Sequence, residues 1–219
     1  MLRPFETEVC GETLQLFPEK AMYWKNKDVL IIADLHLGKA NHFRRAGIPV
    51  PEATNTANLE NFIDLMKFIS PGRVIFLGDL FHSVYNEEWE ALGQVLSHFP
   101  ATNFELVEGN HDVMSPYQYA KHGIKVLKDP MIIHPFIFSH EPLESGQSAY
   151  NIAGHVHPSV RLSGKARQGM RLPCYYFGEQ NGLLPAFGAF TGTFRLKPTK
   201  KDKVYVIANN TVMDVSYEG

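Results

Sequence analysis

Seven residues of the 219-residue chain have the types and spacing to hold metal ions: Asp34, His36, Asp79, Asn110, His140, His155 and His157. The set mixes hard oxygen donors with imidazoles and contains no thiolate. That combination suits Mn²⁺, Fe or Zn²⁺, with Mg²⁺ also admissible, better than an all-oxygen Ca²⁺ site. Seven donors are too many for one such ion, whereas two ions roughly 3.5–4 Å apart, bridged by one carboxylate and one water, would use them all. Two dications against two carboxylates leave a charge of about +2, since Asn110 supplies an oxygen without charge, and such a site favours an anion such as phosphate. A water held between the ions is acidified toward neutrality and can attack phosphorus in line. His111, beside Asn110, can donate to a phosphate oxygen or protonate the leaving group, and Asp112 either orients its ring and favours the imidazolium or only closes its own turn.

Each candidate donor follows a short apolar run. Val29 to Ala33 stops at Asp34-Leu35-His36, where extended geometry places carboxylate and imidazole on one side. Val74 to Leu77 leads into Gly78-Asp79, Phe104 to Val107 into Gly109-Asn110-His111-Asp112, Pro135 to Ser139 into His140, and Tyr150 to Ala153 into Gly154-His155-Val156-His157. In open α/β sheets ligands gather beyond the carboxyl ends of strands, so residues distant in sequence can converge there.

Helical spacing of Leu59, Phe62, Ile63, Met66 and Ile69 predicts a helix over 52–69. Trp89, Leu92, Val95, Leu96 and Phe99 predict another, with Asn86 as its N-cap. A short helix is expected at 116–121. Residues 5–24 read as a hairpin around Gly11-Glu12 followed by a further strand. The tail reads as strands over 171–177, 183–190, 204–208 and 211–215, with Asn209-Asn210 as a tight turn. The Gly- and Pro-interrupted segment 41–51 is expected to be a loop over the strand ends, where Arg44 and Arg45 could clamp phosphate. Alternating strands and helices followed by β structure predict one α/β (α+β) domain over 1–219, two packed sheets with helices outside.

A net charge of -2 and a pI near 6.5 exclude a protein that coats nucleic acid by bulk electrostatics, so any such contact must be local. Lys165, Arg167, Arg171 and the group Lys197, Lys200, Lys201 and Lys203 are read as solvated hairpin faces. Cys10 and Cys174 lie far apart without metal or redox spacing, which suits a reducing compartment. With no signal-like N-terminus or membrane-length apolar run, a cytoplasmic location is expected.

The ordered set Asp34-x-His36, Gly78-Asp79, Gly109-Asn110-His111-Asp112, His140 and Gly154-His155-x-His157 resembles the motif set of the calcineurin-like metallophosphoesterase superfamily. The resemblance implies a four-layer α-β-β-α sandwich. It implies a first ion on Asp34, His36, Asp79 and His157, and a second on Asp79, Asn110, His140 and His155, with Asp79 as the bridge. The segments 33–39, 43–51, 139–142 and 184–192 are similar to bacterial DNA-ligase-associated metallophosphoesterases, repair nucleases that are encoded with a DNA ligase, a helicase and an exonuclease. Gly78-Asp79-Leu80-Phe81-His82 is also similar to a motif of double-strand-break-repair nucleases, which implies that His82 helps to position the phosphodiester. The expected activity is hydrolysis of a phosphodiester of DNA or a nucleotide by hydroxide held between two ions, Mn²⁺ foremost. A phosphatase or pyrophosphohydrolase acting on a small molecule or a lipid-linked nucleotide would carry the same motifs, and a non-catalytic interaction module would keep the fold alone.

Overall fold

Two β-sheets face one another across a core of aromatic and branched side chains. The computed structural model describes residues 2–39, 53–82, 85–163, 169–189 and 191–216. The first sheet begins as a meander, β1 (Phe5–Val9), β2 (Glu12–Leu16), β3 (Ala21–Trp24) and β4 (Val29–Ala33), antiparallel throughout. It continues in parallel through β5 (Arg73–Leu77), β6 (Asn103–Val107) and β7 (Ile124–Leu127), giving the order β1-β2-β3-β4-β5-β6-β7. The parallel strands need crossovers. Helices α1 (Ala53–Ile69) and α2 (Glu87–Ser97) supply the first two, and α3 (Pro116–Lys121) precedes β7.

The second sheet has the order β14-β11-β12-β13-β10-β9-β8, with β15 and β16 branching from β12. Its strands are β8 (Met131–Ile133), β9 (Phe136–Ser139), β10 (Tyr150–Ala153), β11 (Pro158–Ser163), β12 (Gly169–Phe177), β13 (Asn181–Leu183), β14 (Phe194–Arg195), β15 (Lys203–Ala208) and β16 (Thr211–Asp214). The expected sandwich with outer helices is therefore the observed one. Four strands, β7, β8, β11 and β14, come in addition to those read from the sequence. The expected strand 183–190 overlaps β13 only at Leu183, and 184–189 runs irregularly.

Burial follows strand alternation. Leu14, Trp24, Ile31, Ile75, Phe136, Phe138 and Tyr175 fill the space between the sheets. Leu30, Ile32, Phe76 and Leu106 point the other way, onto Phe62, Met66, Trp89 and Leu92 of the helices. Strands β4 and β5 are thus buried on both faces, as their continuous apolar runs require. Asn86 caps α2, its side chain accepting from the Glu88 and Trp89 amides. The hairpin turns use left-handed Cys10-Gly11 and Asn209-Asn210, conformations that these short turns favour.

Candidate metal centre

The five predicted donor segments all lie just beyond the ends of β4, β5, β6, β9 and β10, and the two sheets bring them together. Asp34, His36 and His157 form one cluster, and Asp79, His140 and His155 a second, the donor atoms within each lying within 4.8 Å of one another. Asp79 lies between the clusters: Oδ2 is 3.7 Å from His36 Nε2 and Oδ1 is 3.5 Å from His140 Nε2. Asn110 Oδ1 lies 3.0 Å from the same His140 nitrogen, so the amide joins the second cluster.

Hydrogen bonds fix which ring nitrogens face inward. His140 Nδ1 lies 3.0 Å from the Leu77 carbonyl and His157 Nδ1 2.9 Å from the Gly192 carbonyl. A carbonyl only accepts, so each Nδ1 carries the proton and each Nε2 presents a lone pair. Those lone pairs converge on other donors: His157 Nε2 is 3.4 Å from His36 Nε2, and His140 Nε2 is 3.0 Å from His155 Nδ1. Asp34 Oδ1 is buried without a hydrogen bond among the described residues, 3.5 Å from His157 Nε2. A buried carboxylate oxygen amid inward-facing lone pairs is costly unless a cation lies among them. The donor set therefore fits two divalent ions. Burial first, then Lys39 and the neighbouring imidazoles, push His36 down to about 2, which keeps it in the neutral form that binds metal.

The backbone is bent to make this arrangement. Asp34, His36, Asp79, His155 and His157 all adopt left-handed conformations, with φ of 53°, 49°, 48°, 62° and 50°. Such a conformation costs on the order of 1–3 kcal/mol at a non-glycine residue and persists only where its surroundings over-determine it. Here the amides of Asp34 and His36 donate to the carbonyls of Gly78 and Asp79, and the His155 amide donates to Asp34 Oδ2 at 2.9 Å. Phe187 and Gly188 donate to the carbonyls of Ala33 and Asp34, and Ala189 donates to Asn58 Oδ1. The run 184–189 is irregular because it crosses from the second sheet to this bent segment and to α1. At Gly109 a Cβ would lie 2.4 Å from the Asp79 amide nitrogen, and at Gly78 it would lie 2.2 Å from the His140 ring. These two glycines let the ligand loops touch.

His111 donates its backbone N–H to Asp79 Oδ1 at 3.0 Å, while its half-exposed ring sits at the rim with Nε2 4.0 Å from Asp79 Oδ2. The His82 ring lies 3.9 Å from the His111 ring, centre to centre, and 5.3 Å from that of His36. The two extra histidines therefore flank the first cluster side by side. Of the two readings of Asp112, orienting the His111 ring or closing its own turn, its hydrogen bonds fit the second. Its oxygens accept from the backbone amides of Leu80, Phe81 and Gly109, tying the turn 109–112 to the segment after β5. Burial outweighs those bonds and pushes its carboxyl up to about 7.

Arg44 and Arg45 lie outside the described residues. Sequence reasoning missed Lys39 as an individual residue, although it directly follows the donor segment. Burial lowers its ammonium pKa, and Asp79 and Asp34 pull it back up, so it lies within their field. Glu88, which accepts from the Gly38 amide at 2.8 Å, had no signal beyond its place in the first turn of a helix.

Two facing donor clusters at the strand ends of a two-sheet sandwich make a candidate dinuclear metal site, consistent with a metal-dependent phosphoesterase. The family model for calcineurin-like phosphoesterase matches residues 27–178, and the chain belongs to that family. Among solved structures, the nuclease MPE of Pseudomonas putida is similar at 29% identity and a TM-score of 0.80, over 97% of this chain and 100% of that one. The phosphoesterase Yfce of E. coli is similar at 11% identity and a TM-score of 0.45, over 86% of this chain and 98% of that one. No curated protein sequence matches the chain significantly. Among the described residues no helix is long and apolar enough to cross a membrane.

Proposed function

We propose that the chain is a two-metal phosphodiesterase acting on nucleic acid, a nuclease of the ligase-associated repair type, working in the cytoplasm alongside a DNA ligase, a helicase and an exonuclease. The observation that carries the reading is the Asp79 carboxylate, whose two oxygens face two separate donor clusters, 3.7 and 3.5 Å from their nearest imidazoles. The first ion would be held by Asp34, His36, Asp79 and His157, and the second by Asp79, Asn110, His140 and His155, with Mn²⁺ the preferred metal. Bound ions supply Lewis acidity and a water acidified toward neutrality.

The chain's own residues do the rest. His111, held by its backbone to Asp79 and half exposed, presents its ring toward the open side, where a phosphate oxygen or leaving group would sit. His82 packs against it and limits where the diester can lie. Likeness to a nuclease over nearly the whole chain favours a polynucleotide. The net charge of -2 favours the second reading, a phosphatase or pyrophosphohydrolase for small nucleotides. Turnover of single-stranded DNA, cyclic nucleotides and nucleotide diphosphates by the Mn²⁺-loaded protein decides between them: preference for DNA supports the nuclease, and hydrolysis of diphosphates alone refutes it.

A further inference from the structure

Three arginines share one face of the part of the second sheet that starts at His157. Ser159 of β11 pairs with Arg195 of β14, and Arg161 pairs directly with Arg171 of β12. Alternate residues of a strand point to one side, so Arg161 lies on the Ser159 face, as do Arg171 and Arg195 opposite them. The Arg171 Nε donates to Ser159 Oγ at 2.8 Å, which fits that placement. All three arginines are exposed. The other face of these strands is apolar, with Val160, Leu162, Leu172 and Leu196 packed on Cys174. Strand alternation also puts Arg171 on the side of β12 that carries Tyr175 and Phe177 into the inter-sheet core. The arginine face thus continues the inner face of the sheet past the edge of the sandwich.

Like charges directly opposite on neighbouring strands repel. Among the described residues none of the three guanidiniums is ion-paired with a carboxylate, although the chain carries 23 acidic residues. The row is also continuous with the metal centre. The His157 carbonyl accepts from the Phe194 amide at 2.9 Å, and its ring donates to the Gly192 carbonyl. Arg171 further donates to the Thr193 carbonyl, so it braces the segment that holds this ligand.

We infer that the face formed by Arg161, Arg171 and Arg195 binds the phosphate backbone of the nucleic-acid strand on the His157 side of the bond being cut. The inference rests on the phosphodiesterase reading. Guanidinium forks match phosphate oxygens in geometry as well as charge, and an unneutralised row of them beside a site for phosphorus esters suits a polyanion with regularly spaced phosphates. A local track of this kind also gives a chain of net charge -2 a nucleic-acid contact without a basic surface.

The test is fluorescence anisotropy of a labelled phosphorothioate oligodeoxynucleotide on the Mn²⁺-loaded full chain, across a range of salt. Arg161→Gln and Arg195→Gln should each weaken binding roughly fivefold. The double variant should lower the slope of log K against log salt by about 1.4. Lys67→Gln, at the end of α1 remote from the strand carboxyl ends, should leave both values unchanged. Thermal melting of each variant controls for folding. Affinity and slope untouched in the double variant would overturn the inference, and so would an equal loss in Lys67→Gln or equal displacement of the oligonucleotide by polyglutamate of matched charge. Failure of the underlying reading shows separately, as wild-type protein that binds the oligonucleotide through these arginines yet hydrolyses no phosphodiester.

Discussion

His140 Nδ1 donates to the carbonyl of Leu77, joining the end of β9 in one sheet to the end of β5 in the other at 3.0 Å. The bond selects the tautomer whose Nε2 lone pair faces Asp79, Asn110 and His155. A contact between the two sheets thus sets the chemistry of the second cluster.

Removing that ring should disable the cluster. His140→Ala and Asn110→Ala should each lower bis-p-nitrophenyl phosphate turnover by at least about 100-fold and weaken one metal equivalent, since even groups that only support a ligand are worth 10–100-fold. Turnover assays with metal analysis check this, and a variant with both ions and full turnover would contradict the ligand assignment.

His111 and Asp112 are neighbours with separable roles. His111→Ala should retain both ions and lose about 10²–10⁴ in kcat. Asp112→Ala leaves the amides of Leu80, Phe81 and Gly109 without their acceptor, so it should lower unfolding free energy by roughly 1–3 kcal/mol or more. Urea denaturation alongside kinetics separates the two. A His111→Ala protein that lost metal would make that residue a ligand.

Gly109→Ala adds a Cβ where the Asp79 amide nitrogen would be 2.4 Å away, and the obstacle is backbone that cannot swing aside. A destabilisation of about 1–3 kcal/mol is expected, with weakened metal binding because Asp79 must shift. Equal stability and metal affinity in this variant would mean that the two loops are not held in contact.

Alkaline pH should weaken the fold through buried acids unconnected with the metals. Burial pushes the Cys174 thiol up to about 12 from an ordinary value of 9.0, and holds the Tyr175 hydroxyl well above 10.0. Folded-state values above the unfolded ones mean stability that is complete below about pH 9 and is lost as pH rises toward 12. Urea midpoints at pH 8, 10 and 11 should fall in that order, less steeply in Cys174→Ala; constant midpoints would contradict the assignment.

The donor residues were legible in the sequence because each stands just after an apolar strand, and strand ends in such sheets converge. The helices were legible through the stripes around Phe62 and Trp89 and through the Asn86 cap. Strands β7, β8, β11 and β14 were not, since Ile124–Leu127, Met131–Ile133, Pro158–Ser163 and Phe194–Arg195 are short or polar and gain their pairing only from neighbours. The run 184–189 reads as a strand by composition, yet after Leu184, whose amide still donates to Ala153 of β10, the amides of Phe187, Gly188 and Ala189 go to Ala33, Asp34 and Asn58, partners that only the assembled sandwich supplies. Asp112 was half legible: its closing of the turn at Gly109 could be read from adjacency, whereas its reach to the amides of Leu80 and Phe81, in place of the His111 ring, depends on the assembled sheet.

The central claim is a pair of ions bridged by Asp79 that hydrolyses phosphodiesters. It is tested most directly by the initial rate of bis-p-nitrophenyl phosphate hydrolysis as metal-free protein is titrated with Mn²⁺. The rate should climb until two equivalents per chain are bound and then level off, with Asp79→Asn flat throughout. A plateau at one equivalent, or no hydrolysis at any ratio with Mn²⁺, Fe²⁺, Zn²⁺ or Mg²⁺, would contradict it.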